Sequence, residues 1–338
     1  MTLKPKFLGS GKMKALALLS GGLDSTLAVK LIMERNIDVE AINLVTPFCL
    51  CRKGGCGALE VAKTFNIPLK VINAGKDYIA LIRNPKFGYG KNMNPCIDCR
   101  IFLLKKAKKY AEEIGAAFIF TGEVLGQRPM SQHRGALALI EKEAGLQGKI
   151  VRPLSAKLLP KTEAEEKGLI EVEKLMDISG RSRKKQIELT KQFNIENYPC
   201  ASGGCLLTYK EFADKLRDLF EHKTRVSMRD IQLLKVGRHF RFGKNKIIVG
   251  RNKAENEVLL KGKSKNDLYF EVPNCGSPIS ILQGPKTKKV VEKAAALTIF
   301  HSDKKCADVQ VAFGRDRLDK EIVTSALTLQ EVEKLRLT

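Results

Sequence analysis

Along the first 125 residues, short apolar runs alternate with longer stretches whose apolar positions recur every three or four residues. "KALALLS" (14–20) is a continuous apolar run ending at a glycine pair, and "LDSTLAVKLIMERN" (23–36) follows with helical spacing. "DVEAINLVTP", "IPLKVINA" and "AAFIFTGE" read as further buried strands. "IFLLKKAKKYAEEIG" (101–115) reads as a helix between the last two, and "SRKKQIELTKQF" (182–193) as a later one. Strands alternating with helices predict an α/β domain on a mostly parallel sheet with helices on both faces. Ligands of such sheets bind beyond the C-terminal strand ends. The segments "SGG" and "TGEVLGQR" fall there.

The pattern changes after the polar stretch "EHKTRVSMRD" (221–230). Short strand-like runs follow, "HFRFGKNKIIVGRN", "DLYFEV" and "SPISILQG", then one helix, "KKVVEKAAALTIFH", and a last strand-like run, "DVQVAFG". This predicts a small α+β domain over residues 223–338, appended to an α/β domain over 1–222.

Charge sharpens that division. The 338 residues carry a formal net charge of +23, which points to a polyanionic partner, nucleic acid above all. Residues 223–338 hold 24 Lys+Arg against 13 Asp+Glu, about twice the net density of the remainder. No apolar run approaches the roughly 20 residues of a membrane span, and the N-terminus lacks the pattern of an export signal. The expectation is a cytoplasmic protein with no membrane partner. In that reducing setting its nine cysteines are not disulfide staples. Their clustering at 49, 51, 56, 96, 99, 200 and 205 points to metal or sulfur chemistry. Cys275 and Cys306 have no partner pattern and read as small buried residues.

"LLSGGLDSTLA" (18–28) carries the clearest chemistry. Gly21 and Gly22 let the backbone approach an anion, and the following helix directs free N–H groups and its positive dipole end toward it. Ser20 and Ser25 add hydroxyl donors. Asp24 is repulsive beside a phosphate unless a cation lies between, which predicts Mg²⁺. "NPCIDCR" (94–100) is open on residue type alone: its Cys-x-x-Cys suits a zinc half-site, a redox disulfide, a sulfur carrier or iron–sulfur ligands.

"SGGLDS" resembles the pyrophosphate loop of the PP-loop ATP pyrophosphatases, with the fold of the adenine nucleotide alpha hydrolases. "TGEVLGQRPMSQ" (121–132) resembles the matching segment of 4-thiouridine synthases. "NPCIDCR" and "GGCLLTYKEF" (203–212) resemble the cysteine motifs of the tRNA 2-thiouridine synthases. The chain is therefore similar, over nearly its whole length, to the TrmU/ThiI-like thiouridine synthases. The resemblance implies an ATP-dependent tRNA sulfurtransferase that adenylates a uridine carbonyl and replaces its oxygen by sulfur, forming AMP and pyrophosphate. ATP contacts fall to Ser20, Gly21, Gly22, Asp24, Ser25, Thr121 and Gly122. Arg128 offsets phosphate charge, and Glu123 and Gln127 stand around the adenylated carbonyl.

Family members with a Cys-x-x-Cys and a distant third cysteine hold a 4Fe-4S cluster, which here implies Cys96, Cys99 and Cys205 as ligands. Cys200 becomes a nearby spare. The sulfur donor is sulfide or a persulfide from a cysteine desulfurase. A persulfide relay without a cluster, a structural zinc site, and a PP-loop ligase or amidotransferase acting on a small acid are the alternatives. Cys49, Cys51 and Cys56 are left open between a zinc knot, sulfur relay and a plain loop. The C-terminal runs "VGRNKAENEVLL" and "NDLYFEVPNCGSPISIL" resemble the NFACT-R domain, a module associated with RNA binding. This implies phosphate contacts from Arg238, Arg241, Lys244, Arg251 and Lys253.

Overall fold

β1 (Lys14–Leu18) carries apolar side chains on both faces, and each face has its own core. Ala15 and Ala17 pack with Ala28, Val29 and Ile32 of the helix Leu23–Met33. Leu16 and Leu18 pack with Ile101, Leu104 and Ala107 of the helix Cys96–Ile114. A strand buried this way belongs at the centre of a parallel sheet covered on both sides. In the computed structural model of the chain, which describes residues 12–50, 57–195, 204–304 and 306–337, β1 takes that place.

The sheet runs β3 (Leu69–Asn73), β2 (Asp38–Val45), β1, β4 (Phe118–Thr121), β5 (Ile150–Val151), all parallel. Strand order reverses between β1 and β4, so the loops leaving those strands open a crevice. β3 differs from its expected burial: it is the edge strand, and Lys70, Val71 and Asn73 are exposed. The helix Cys96–Ile114 also begins five residues before its apolar periodicity does. Asp98 explains the early start, since its carboxylate accepts from the backbone N–H groups of Lys86 (2.8 Å) and Phe87 (3.1 Å) and ties the first turn to the preceding loop.

Contacts divide the chain into Met1–Leu206 and Leu207–Thr338. The division falls before the compositional change at 222, because the helix Lys210–His222 belongs to the second unit. Its Asp218 binds Arg241 and Lys246 there. That unit holds an antiparallel six-stranded sheet. Its order is β11 (Lys320–Thr324), β10 (Val309–Gly314), β8 (Leu268–Glu271), β9 (Ser280–Gln283), β7 (Asn245–Val249), β6 (Arg238–Phe242). The helix Lys288–Phe300 contributes Val290, Ala294, Leu297 and Ile299 to its core. Among the described residues no helix is long and apolar enough to cross a membrane.

Candidate active site

The loop after β1 is shaped by two close approaches. Gly21 has φ +74°, and a Cβ there would stand 2.2 Å from the backbone of Gly57 and Ala58. Gly122, just past β4, packs on the start of the neighbouring helix. A Cβ on it would lie 2.4 Å from Ser25 N and 2.5 Å from the Asp24 carbonyl carbon. These glycines are thus required by packing as well as by any ligand. The helix Leu23–Met33 has Gly22 as its N-cap and no side-chain cap. Its first-turn N–H groups, among the unpaired donors every helix start leaves, open toward the crevice. Ser20 Oγ and Ser25 Oγ lie 3.1 Å apart, and Ser25 Oγ donates to Gly22 O at 3.0 Å. The Asp24 carboxylate is aimed by two amides: Gln127 Nε2 donates to it at 2.7 Å and Gln186 Nε2 at 3.4 Å. Gln186 also donates to Gln127 Oε1 at 3.2 Å, so the two amides act together.

A cavity of about 260 Å³ opens above this loop. Ser20, Gly22, Asp24, Ser25, Thr121, Gly122 and Arg128 line it, and so do Cys99 and Cys205. Predicted phosphate and sulfur residues, up to 185 positions apart in sequence, therefore share one space. Gly21 and Cys96 stand outside the lining. Cys96 remains near Arg100 and Arg128, whose positive charges oppose the rise that burial imposes on its thiol. Burial also pushes the Cys99 thiol up, opposed by the Tyr78 hydroxyl, which donates to Cys99 Sγ at 3.0 Å, and by Arg100. Burial lowers the Arg128 guanidinium, as does the neighbouring Arg100. Cys51, Cys56, Cys200 and Gly203 lie outside the described residues.

Four expectations change. Cys306 is exposed and Cys275 only half-buried, so neither is the buried residue expected. Glu123 reaches the cavity wall, but its carboxylate is taken by Arg152 (3.1 Å), Arg100 (3.5 Å) and Thr121 Oγ1 (3.2 Å). Gln127 orients Asp24 rather than facing the cavity. Arg241 turns inward onto Asp218 at 2.6 and 2.7 Å, while Lys244, Arg251 and Lys253 are exposed, Arg251 paired with Glu255. Conversely, Cys49, Tyr78, Arg100, Gln132 and Arg183 line the cavity. Of these, Cys49 and Arg100 stand inside or beside a cysteine motif and Gln132 closes the segment 121–132, whereas Tyr78 and Arg183 had no signal.

Among the described residues no three His, Cys, Asp or Glu side chains are placed to hold one metal ion. A cluster spreads its ligands over several irons and does not need that convergence. Its donor chemistry fits what is present: soft thiols from two segments, Cys99 and Cys205 facing one cavity, and Arg100 to offset thiolate charge.

Residues 10–158 match the model of the thiamine biosynthesis protein ThiI, and residues 237–336 that of the NFACT protein RNA binding domain. A "Probable tRNA sulfurtransferase" of Ureaplasma urealyticum is 34% identical over 116 residues, 34% of this chain and 30% of that protein. A "tRNA-specific 2-thiouridylase MnmA" of Clostridium acetobutylicum is 34% identical over 119 residues, 31% of this chain and 34% of the other. The chain thus aligns with about a third of the length of these curated relatives. Among solved structures, a 4-thiouridine synthetase–RNA complex with bound ATP is 24% identical at TM-score 0.36, covering 66% of this chain and 52% of that one. The chain is thus similar to the ThiI family over residues 10–158 and to the NFACT protein RNA binding domain over residues 237–336.

Proposed function

We propose that this chain is an ATP-dependent, cytoplasmic tRNA thiouridine synthase. One observation carries the reading: the Ser20–Ser25 phosphate loop and the thiols Cys99 and Cys205 line the same cavity. Replacing a uracil carbonyl oxygen by sulfur needs both, because that oxygen leaves only once it is activated. ATP would lie on the loop with its phosphates against the N-terminus of Leu23–Met33, and Asp24 would hold Mg²⁺ between itself and those phosphates. Arg128, also on the cavity, would balance charge as pyrophosphate separates. Cys96, Cys99 and Cys205 would hold a 4Fe-4S cluster, which supplies activated hydrosulfide when bound. Tyr78 would keep Cys99 in place through its hydroxyl.

The test is to incubate the purified chain with unmodified tRNA, ATP, Mg²⁺ and sulfide, then digest the RNA and analyse its nucleosides by mass spectrometry. Thiouridine formed with equimolar AMP supports the proposal. AMP formed with a small acid and not with RNA would favour the ligase reading.

The ligand assignment has its own expected result. After anaerobic reconstitution, Cys99→Ser and Cys205→Ser lose most bound iron and the broad visible absorption, whereas Cys200→Ser keeps both. Zinc retained in place of iron in the unaltered chain would remove the cluster.

The RNA-binding role of the second unit predicts a salt effect. Lys244→Ala and Lys253→Ala each lower the slope of log affinity against log salt by about 0.7–0.9 if each side chain contacts one phosphate. Filter binding from low to moderate salt reads that slope. Slopes equal to the parent's would place the RNA contacts elsewhere.

A further inference from the structure

Cys49 and Cys205 face each other in an isolated antiparallel bridge. The hydrogen bonds of that bridge flank the pair instead of joining it: Leu50 N donates to Gly204 O (3.3 Å) and Leu206 N to Phe48 O (2.9 Å). Residues at such a non-hydrogen-bonded position have Cα atoms about 4.5 Å apart and side chains on the same face. A disulfide spans Cα separations of about 4.4–6.8 Å, so the backbone suits a cross-strand link. The sequence permits the approach: a Cβ at Gly204 would fall 2.1 Å from Leu50 Cδ1. Both thiols line the cavity with Cys99, and both are half-buried, within reach of a small reagent. Thr46 holds Cys49 from the other side, with its N and Oγ1 at 3.4 and 3.3 Å from the sulfur.

We propose that Cys49 and Cys205 are a thiol–disulfide exchange site for small disulfides of the glutathione class. One protein thiolate attacks the small disulfide and expels one thiolate, leaving a mixed disulfide on the protein. The other then attacks that protein sulfur and expels the second. The two protein thiols lose two electrons and two protons, and the small disulfide becomes two thiols. The consequence for activity rests on the function proposed above. Oxidation of the cluster-free chain takes Cys205 from the ligand set, so no cluster assembles and thiolation stops until a dithiol reductant restores both thiols and the cluster is rebuilt. Intracellular disulfides are typically of this transient, redox-sensing kind.

The experiment equilibrates the full chain with glutathione disulfide, digests it without reduction and maps linked peptides by mass spectrometry. The expected product joins the peptides carrying Cys49 and Cys205 and is lost on adding dithiothreitol. Cys49→Ala loses this product and carries glutathione on Cys205 instead; Cys205→Ser carries it on Cys49. Cys205 joined to another cysteine while Cys49 remains a thiol, or glutathione on both residues of the parent chain, would overturn the proposal. Because the mapping uses neither ATP nor RNA, a chain that forms the link but never thiolates RNA overturns only the function.

Discussion

Asp24→Ala is expected to lower AMP formation by on the order of 10²–10³-fold, the usual cost of removing one group that stabilises charge in the reacting state, with the fold and RNA binding intact. The carboxylate sits in the first turn of Leu23–Met33, where the N–H groups favour an anion. Both it and a triphosphate are negative, so the pair is repulsive unless a cation intervenes. Gln127 and Gln186 hold the carboxylate in one orientation, which suits a metal ligand better than a mobile surface acid. The sign of the binding effect separates the two roles. A Mg²⁺ ligand, once lost, slows chemistry while ATP without metal binds as well or better, because the repulsion is gone. A residue that merely shaped the loop would weaken ATP binding with or without Mg²⁺. AMP release and nucleotide binding, each with and without Mg²⁺, distinguish these, and AMP formation at the parent rate would remove the proposed role.

The parts of this site that were legible in the sequence are those whose geometry is local. A strand, a glycine pair and a helix within 20 residues leave a periodic trace, so the loop residues could be named. The cysteines could be named because thiols are rare and clustered. Gln186 had neither property: it meets Asp24 across 162 positions, and one glutamine on a polar helix resembles any other. Arg241 failed in the opposite direction. Its place in a basic run suggested a surface role, but Asp218 sits on the helix Lys210–His222, which composition assigned to the other domain. β3 was read as buried from its apolar letters alone. Position in a sheet is set by pairing, and an edge strand can carry Val71 in solvent because one exposed valine costs little.

The largest stability effect is expected at Arg152, which the sequence left unremarked. Its side chain is almost wholly buried and pairs with Glu123 at 3.1 Å and with Glu141. Burial alone would raise the Glu123 carboxyl, but the Arg152 and Arg100 guanidiniums and hydrogen bonds from Arg152 and Thr121 hold it below the usual carboxylate range. Arg152→Met keeps the bulk and removes the charge. Breaking one side of a buried pair costs about 3–5 kcal/mol, or roughly 6–20 °C in melting temperature for a unit of this size. The pH dependence identifies the cause. In the parent chain the folded carboxyl is depressed, so its contribution is complete above the unfolded value, about 4.3, and is lost as pH falls through the folded value. In the variant, burial without Arg152 raises Glu123, so the folded state gains a proton before the unfolded one and is relatively favoured by acid. The gap in melting temperature between parent and variant should therefore be widest near pH 7 and shrink toward pH 4. Glu123→Gln placed on Arg152→Met should recover part of the loss at pH 7, since a neutral amide needs no counter-charge. Thermal melts of the three chains at pH 7 and pH 4 read both effects. A gap that does not change with pH would mean that Arg152 acts through packing, not charge.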